Sequence, residues 1–169
     1  KSLSDGIEVW KRSQKFLVEE DVAIFFDKLS SDLRNTVLFS QLTFEGKKRR
    51  LRIPAMVQEL PDPRTVLNQD EYVDQIGYVY YEFDFEEHAI IRKQAGYGLA
   101  LKEKYENERI LVSSIDSLEF SYVYVTDSDE VVSDKSLELP PNAVEVLVEF
   151  DDEGLKRSMS KVINLPLML

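Results

Sequence analysis

The sequence predicts an α+β fold: one long N-terminal helix packed on antiparallel β-sheet. Three observations carry this. Val18, Val22, Phe25, Leu29, Leu33 and Val37 recur every three or four positions, the apolar stripe of an amphipathic helix. After Val37 the apolar period drops to two, as in half-buried strands. The strands come in turn-linked pairs, with no helical segment alternating between them, which is the element order of α+β rather than α/β.

The helix is expected from about Leu3 to Val37. A second apolar line, Trp10, Leu17 and Ile24, repeats every seven residues beside the first, and no proline occurs before Pro54. At ~1.5 Å per residue such a helix is about 50 Å long, longer than a small domain is wide, so part of it is expected to project or to meet a partner. Two shorter helices meeting around Glu19 to Asp21 are the alternative. Leu38 to Phe44 reads as a strand, Glu45 to Lys47 as a turn, and Arg49 to Val57 as the returning strand. Leu60 to Asp70, with Pro61 and Pro63, reads as a loop. Ile76 to Phe85 has the strongest alternation, with Val79, Tyr81, Phe83 and Phe85 on one face. Ala89 to Lys93 returns from it. Ala95 to Asn107 is ambiguous between a loop and a short helix. Leu118 to Val125 is a strand with Phe120, Tyr122 and Tyr124 on one face, and Thr126 to Lys135 is an acidic loop. A last hairpin turns at Asp151 to Gly154. Pro140 and Pro141 stand just before it, where they stiffen the start of a strand. The whole reads as one domain over 1–169, with 1–37 a helix and 38–169 a β-rich head.

The composition narrows function. The chain has 169 residues, 31% charged and 43% hydrophobic, enough for one domain with a real core. A net charge of −11 argues against general nucleic-acid binding and against docking on anionic lipid. Without cysteine there is no disulfide frame, no thiolate nucleophile and no cysteine zinc site. No run reaches the ~20 apolar residues of a membrane helix. Lys1 stands where an initiator methionine would, so a processed or truncated chain with an upstream segment is expected.

No catalytic motif emerges. The sequence has no nucleophile elbow, phosphate loop or dinucleotide fingerprint. The one histidine, His88, falls in a hairpin turn, where a surface role is the ordinary one. Lys47, Lys48, Arg49, Arg50 and Arg52 form a basic run, read either as a contact for an acidic partner or lipid headgroups, or as a charged edge that resists strand pairing. Asp127, Asp129, Glu130 and Asp134 offer oxygen ligands for calcium, but lack the glycine and closing glutamate of an EF-hand loop. No catalytic, cofactor or metal residue is expected. The candidate functional residues are partner contacts: Ile7, together with Trp10, Leu17 and Ile24 of the second apolar line.

Local patterns then point to a family. Phe26 to Arg34 resembles the helix end of the larger minor pseudopilins. Gly77 to Phe83, followed by Ile90, Ile91 and Arg92, is similar to their central hairpin, and Ile115 to Tyr122 resembles the next strand. Leu139 and Pro140, then Ala143 to Val146, with Gly154 and the closing Leu165 and Pro166, resemble the ending of the J-type minor pseudopilin of the type II secretion system. The resemblance spans roughly residues 20–166. It implies a pilin-like fold and a non-catalytic structural role at the tip of a periplasmic pseudopilus. The implied partners are the I-type and K-type minor pseudopilins, met through the N-terminal helix. It also implies an inner-membrane anchor upstream of Lys1, with no cofactor, small-molecule substrate or nucleic acid. A minor pilin of a type IV pilus or competence system is the neighbouring alternative. A solitary ligand-binding module, with aromatic strands around Tyr78 to Phe85 and Phe120 to Tyr124 lining a cleft, is the alternative of another class.

Overall fold

The computed structural model describes the backbone of residues 3–59 and 73–166, and the side chains of residues 18–58 and 74–166. The elements are α1 (Leu3–Arg34), β1 (Glu45–Gly46), β2 (Arg50–Glu59), β3 (Val73–Asp84), β4 (Ala89–Gly96), α2 (Tyr97–Leu101), β5 (Glu106–Val112), β6 (Ser117–Val125), β7 (Glu130–Ser133), β8 (Ala143–Asp152) and β9 (Leu155–Asn164). The strands form two antiparallel sheets, ordered β1-β2-β3-β4-β5 and β7-β6-β8-β9. The loop expected at Leu60 to Asp70 lies outside the described residues.

The α+β, pilin-like expectation of a long helix packed on sheet is corrected. Strand makes up 54% and helix 16% of the residues described with their side chains, so the fold is mostly antiparallel β. The stretch of helix that enters the core is short, with Val22, Phe25, Phe26, Leu29 and Leu33 as its buried apolar residues. Periodicity located the stripe. It overstated the helix because two sheets, closed on one another, supply most of the apolar cover.

One apolar cluster joins all three layers. It takes Leu51, Ile53, Val79, Tyr81 and Phe83 from the first sheet and Phe120, Tyr122, Val146, Val148 and Phe150 from the second, closed by Phe25 and Leu29 of α1. Full burial of each such side chain contributes roughly 1.5–3 kcal/mol. Gly46 lets the sheets meet: a Cβ there would sit 2.1 Å from the Tyr122 ring. The Tyr122 hydroxyl continues past it and donates to the Lys47 carbonyl at 2.7 Å.

A polar lock ties the helix to the first sheet. Asp32 of α1 accepts from Arg92 Nε at 3.0 Å and from Arg92 Nη2 at 3.3 Å, a two-pronged pair. Tyr81 donates its hydroxyl proton to the same carboxylate. Burial, and then the Asp32 charge, push the Tyr81 hydroxyl pKa up. Burial works to lower the Arg92 pKa, but the bond to Asp32 and its charge outweigh this and the pKa rises. On the flank, Glu19 and Asp27 of α1 pair with Arg157 and Lys161 of β9 at 2.6 and 3.8 Å.

The helix stops three residues before the expected Val37. There the chain is captured by β2: Val37 N–H donates to the Pro54 carbonyl at 2.9 Å, and Thr36 bridges Ala55. This also explains a proline within β2. The carbonyl of Pro54 points away from β3, so its missing N–H falls on the same outer side and costs the β2–β3 ladder nothing. The strand expected over Leu38 to Phe44 is largely an irregular segment that buries Leu42 and Phe44, and Glu45–Gly46, expected as turn, is β1. The acidic loop expected at Thr126 to Lys135 contains β7, paired with β6. Pro140 and Pro141 are buried just before the start of β8. Asn142 after them clamps the sheet. Its N–H donates to Val123, its side-chain oxygen accepts from Val125, and its carbonyl accepts from Leu165.

Candidate functional site

Ile24 is the one predicted partner-contact residue whose side chain is described. It is 58% exposed, on the face of α1 turned away from Val22, Phe25 and Leu29. The side chains of Ile7, Trp10 and Leu17 lie outside the described residues, although their backbone belongs to α1. Among the described residues no helix is long and apolar enough to cross a membrane.

Most of the aromatics of β3 and β6 do not line a cleft as the ligand-binding alternative expects; Tyr80 of β3 is the exception. Tyr81, Phe83, Phe120 and Tyr122 face the core. His88 is an exposed turn residue, its ring 6.5 Å from that of Phe83. Among the described residues no group of three or more metal-ligating side chains is gathered, the acidic segment around Asp129 included.

A site the sequence reading did not locate lies on the outer face of the first sheet. The register aligns Glu45, Arg52, Tyr80 and Lys93 across β1, β2, β3 and β4. Alternation turns them away from the core, and Arg50 and Glu82 stand opposite each other two residues along β2 and β3. One side of this outer face is closed by a small apolar cluster of Leu42, Tyr78, Ala95 and Ala100. The other is a polar cleft of about 370 Å3, walled by Glu103 and Tyr105 from the turn after α2.

That turn is unusual. Lys104 N–H donates to Leu99 and Glu103 N–H to Ala100, the paired bonds of a Schellman helix end. The left-handed position is held by Glu103 at φ 54°, where glycine is the ordinary choice. Its carboxylate lies 3.7 Å from Arg52. Asn107, the second residue of β5, is also left-handed at φ 52°. Tyr105 and Tyr80 lie with ring centres 5.0 Å apart.

The charges in the cleft are mostly paired. Arg52 contacts Glu45 at 3.0 Å and lies over the Tyr78 ring at 4.4 Å. Lys47 pairs with Glu45 at 3.5 Å, and Lys93 with Glu82 at 3.0 Å. Tyr80 donates to Glu82 at 3.2 Å. Burial and the Glu82 charge push the Tyr80 hydroxyl up to about 12, so it stays protonated at neutral pH. Burial likewise raises the Tyr105 hydroxyl pKa. Burial works to lower the Lys93 pKa, but its bond to Glu82 outweighs this and the pKa rises.

The basic run is thereby divided. Lys47, Arg50 and Arg52 line the cleft, while Lys48 pairs with Glu119 at 3.6 Å and Arg49 lies over Phe85 at 4.7 Å. Alternation of charge with Tyr80 along β2 and β3 was the available signal. The wall from α2 was not legible, because Ala95 to Asn107 has no clear period. A scan against protein-family models finds no match to this chain, and a search of curated proteins finds none.

Proposed function

We propose that the chain is a structural assembly subunit that joins other subunits through its N-terminal helix. In its specific form, following the resemblance, it is a subunit of the type II secretion pseudopilus tip, assembling with I-type and K-type minor pseudopilins and acting without catalysis. In this reading the domain stands in the periplasm, held by an inner-membrane helix upstream of Lys1. The observation that carries the reading is the outer face of α1. Ile24, large and apolar, is exposed there, in register with Leu17 and Trp10 seven and fourteen residues earlier. An apolar line at this spacing supplies knobs for a neighbouring helix, and helix-mediated contact suits a permanent assembly. The order of the family patterns lends support: Gly77 to Phe83 and Ile90 to Arg92 fall on the paired strands β3 and β4, and Ala143 to Val146 opens β8.

The test is co-expression with the I-type and K-type subunits and affinity capture. Trp10→Glu, Leu17→Glu and Ile24→Glu each place a charge on the line and are expected to abolish capture without unfolding the head. Capture unchanged in all three variants refutes the reading. The gene upstream of Lys1 offers a second check, since the reading requires a short basic leader and ~20 apolar residues there.

A further inference from the structure

We propose that the cleft on the outer face of the five-stranded sheet binds a ligand carrying one oxyanion group, a carboxylate or a phosphate. The charge balance is the first argument. Four cationic side chains line the cleft against three carboxylates, in a chain whose net charge is −11. Lys47, Arg52 and Lys93 each have a carboxylate partner. Arg50 has no carboxylate within ion-pair distance among the described residues. Its charge acts on the nearby Tyr80 hydroxyl, whose proton goes to Glu82. Arg50 is therefore not neutralised by a carboxylate.

Unused donor capacity is the second argument. Arg52 Nε is buried with no acceptor among the described residues, although its side chain is only 17% exposed. A buried N–H without a partner is costly. An oxyanion between Arg50 and Arg52 supplies both the missing charge and further acceptor lone pairs, and guanidinium groups match the planar geometry of carboxylate and phosphate oxygens.

Construction of the cleft is the third. Its volume of about 370 Å3 is within the ordinary size of a small-ligand site. The close-lying Tyr80 and Tyr105 rings give a carbon skeleton something to lie against.

The test uses the whole chain with two probes, inorganic phosphate and succinate, followed by amide and tyrosine-ring NMR shifts. Saturable shifts at Arg50, Arg52, Tyr80 and Tyr105, with a dissociation constant of about 1 mM or tighter, are expected for at least one probe. The tighter probe identifies the group as phosphate or carboxylate. Arg50→Gln is expected to weaken binding about tenfold, a loss of about 1.4 kcal/mol. Glu103→Gln removes a competing carboxylate and is expected to tighten it. Both residues are exposed, so folding is not at stake. Lys156→Gln, in β9 of the other sheet, is expected to leave binding unchanged. Absence of a saturable shift with both probes up to about 50 mM overturns the proposal. So does binding that Arg50→Gln and Lys156→Gln weaken equally, which marks a salted surface rather than a site.

Discussion

Replacing Asp32 by asparagine keeps the shape of the side chain and removes its charge. The variant retains hydrogen-bonding atoms near Tyr81, but leaves Arg92 without its counter-charge. Both partners are only 12% exposed, so water screens the pair weakly. Removing one member of a buried pair costs about 3–5 kcal/mol, whereas breaking an exposed pair costs about 0–1 kcal/mol. The two cases are distinguishable by experiment. In urea, with a slope of about 2 kcal/mol per molar, the larger loss lowers the unfolding midpoint by roughly 2 M. The double variant Asp32→Asn with Arg92→Met removes the stranded cation as well, and is expected to recover a large part of the loss. The coupling from the double-mutant cycle should reach about 2–3 kcal/mol. Tyr81→Phe, which keeps the ion pair and deletes one bond to it, should cost about 1.5–3 kcal/mol. A loss below about 1 kcal/mol for Asp32→Asn shows that the pair behaves as a surface contact, and the account of how α1 is held to the sheet then fails.

Gly46→Ala is expected to lose about 2–4 kcal/mol, from overpacking against the fully buried Tyr122 ring and loss of its bond to Lys47. Adding Tyr122→Val should make the double variant less damaged than the sum, and a strictly additive denaturation result rules out the steric explanation. Burial pushes the hydroxyl pKa of both Tyr81 and Tyr122 up from 10.0. In the unfolded chain they release protons near pH 10 that the folded chain still holds. Stability is therefore level with respect to these groups below about pH 10, and falls above it by about 1.4 kcal/mol per pH unit for each. Urea midpoints from pH 8 to 11.5 check this, and a flat profile across pH 10 contradicts it.

The strands were legible where alternation met a partner. Tyr81 and Phe83 face inward as the period of β3 requires, and Gly154, with φ 85°, makes the last turn where Asp151 to Gly154 marked it. Leu38 to Phe44 misled because alternation records burial, not pairing. Leu42 and Phe44 are buried there with little strand structure. β7 was hidden by its own exposure, since Val131 and Val132 are solvent-facing on an edge strand among acidic residues. The weight of helix in the fold was misjudged for a related reason: the stripe from Val22 to Leu33 specifies one face, and says nothing of how much sheet covers it. The charged cleft was legible only in part. Cross-strand rows such as Glu45, Arg52, Tyr80 and Lys93 depend on register, which no local window contains.

The pairing of α1 with β9 has a consequence for the order in which the chain can be made. Glu19 and Arg157 are 138 residues apart in sequence. On the ribosome the helix emerges well before the strand that closes its flank. At ~5–20 residues per second, Phe25 and Leu29 wait on the order of ten seconds for that cover. During synthesis this apolar face is therefore open until β9 has been made. Moving α1 to the C-terminal end by circular permutation would shorten that wait.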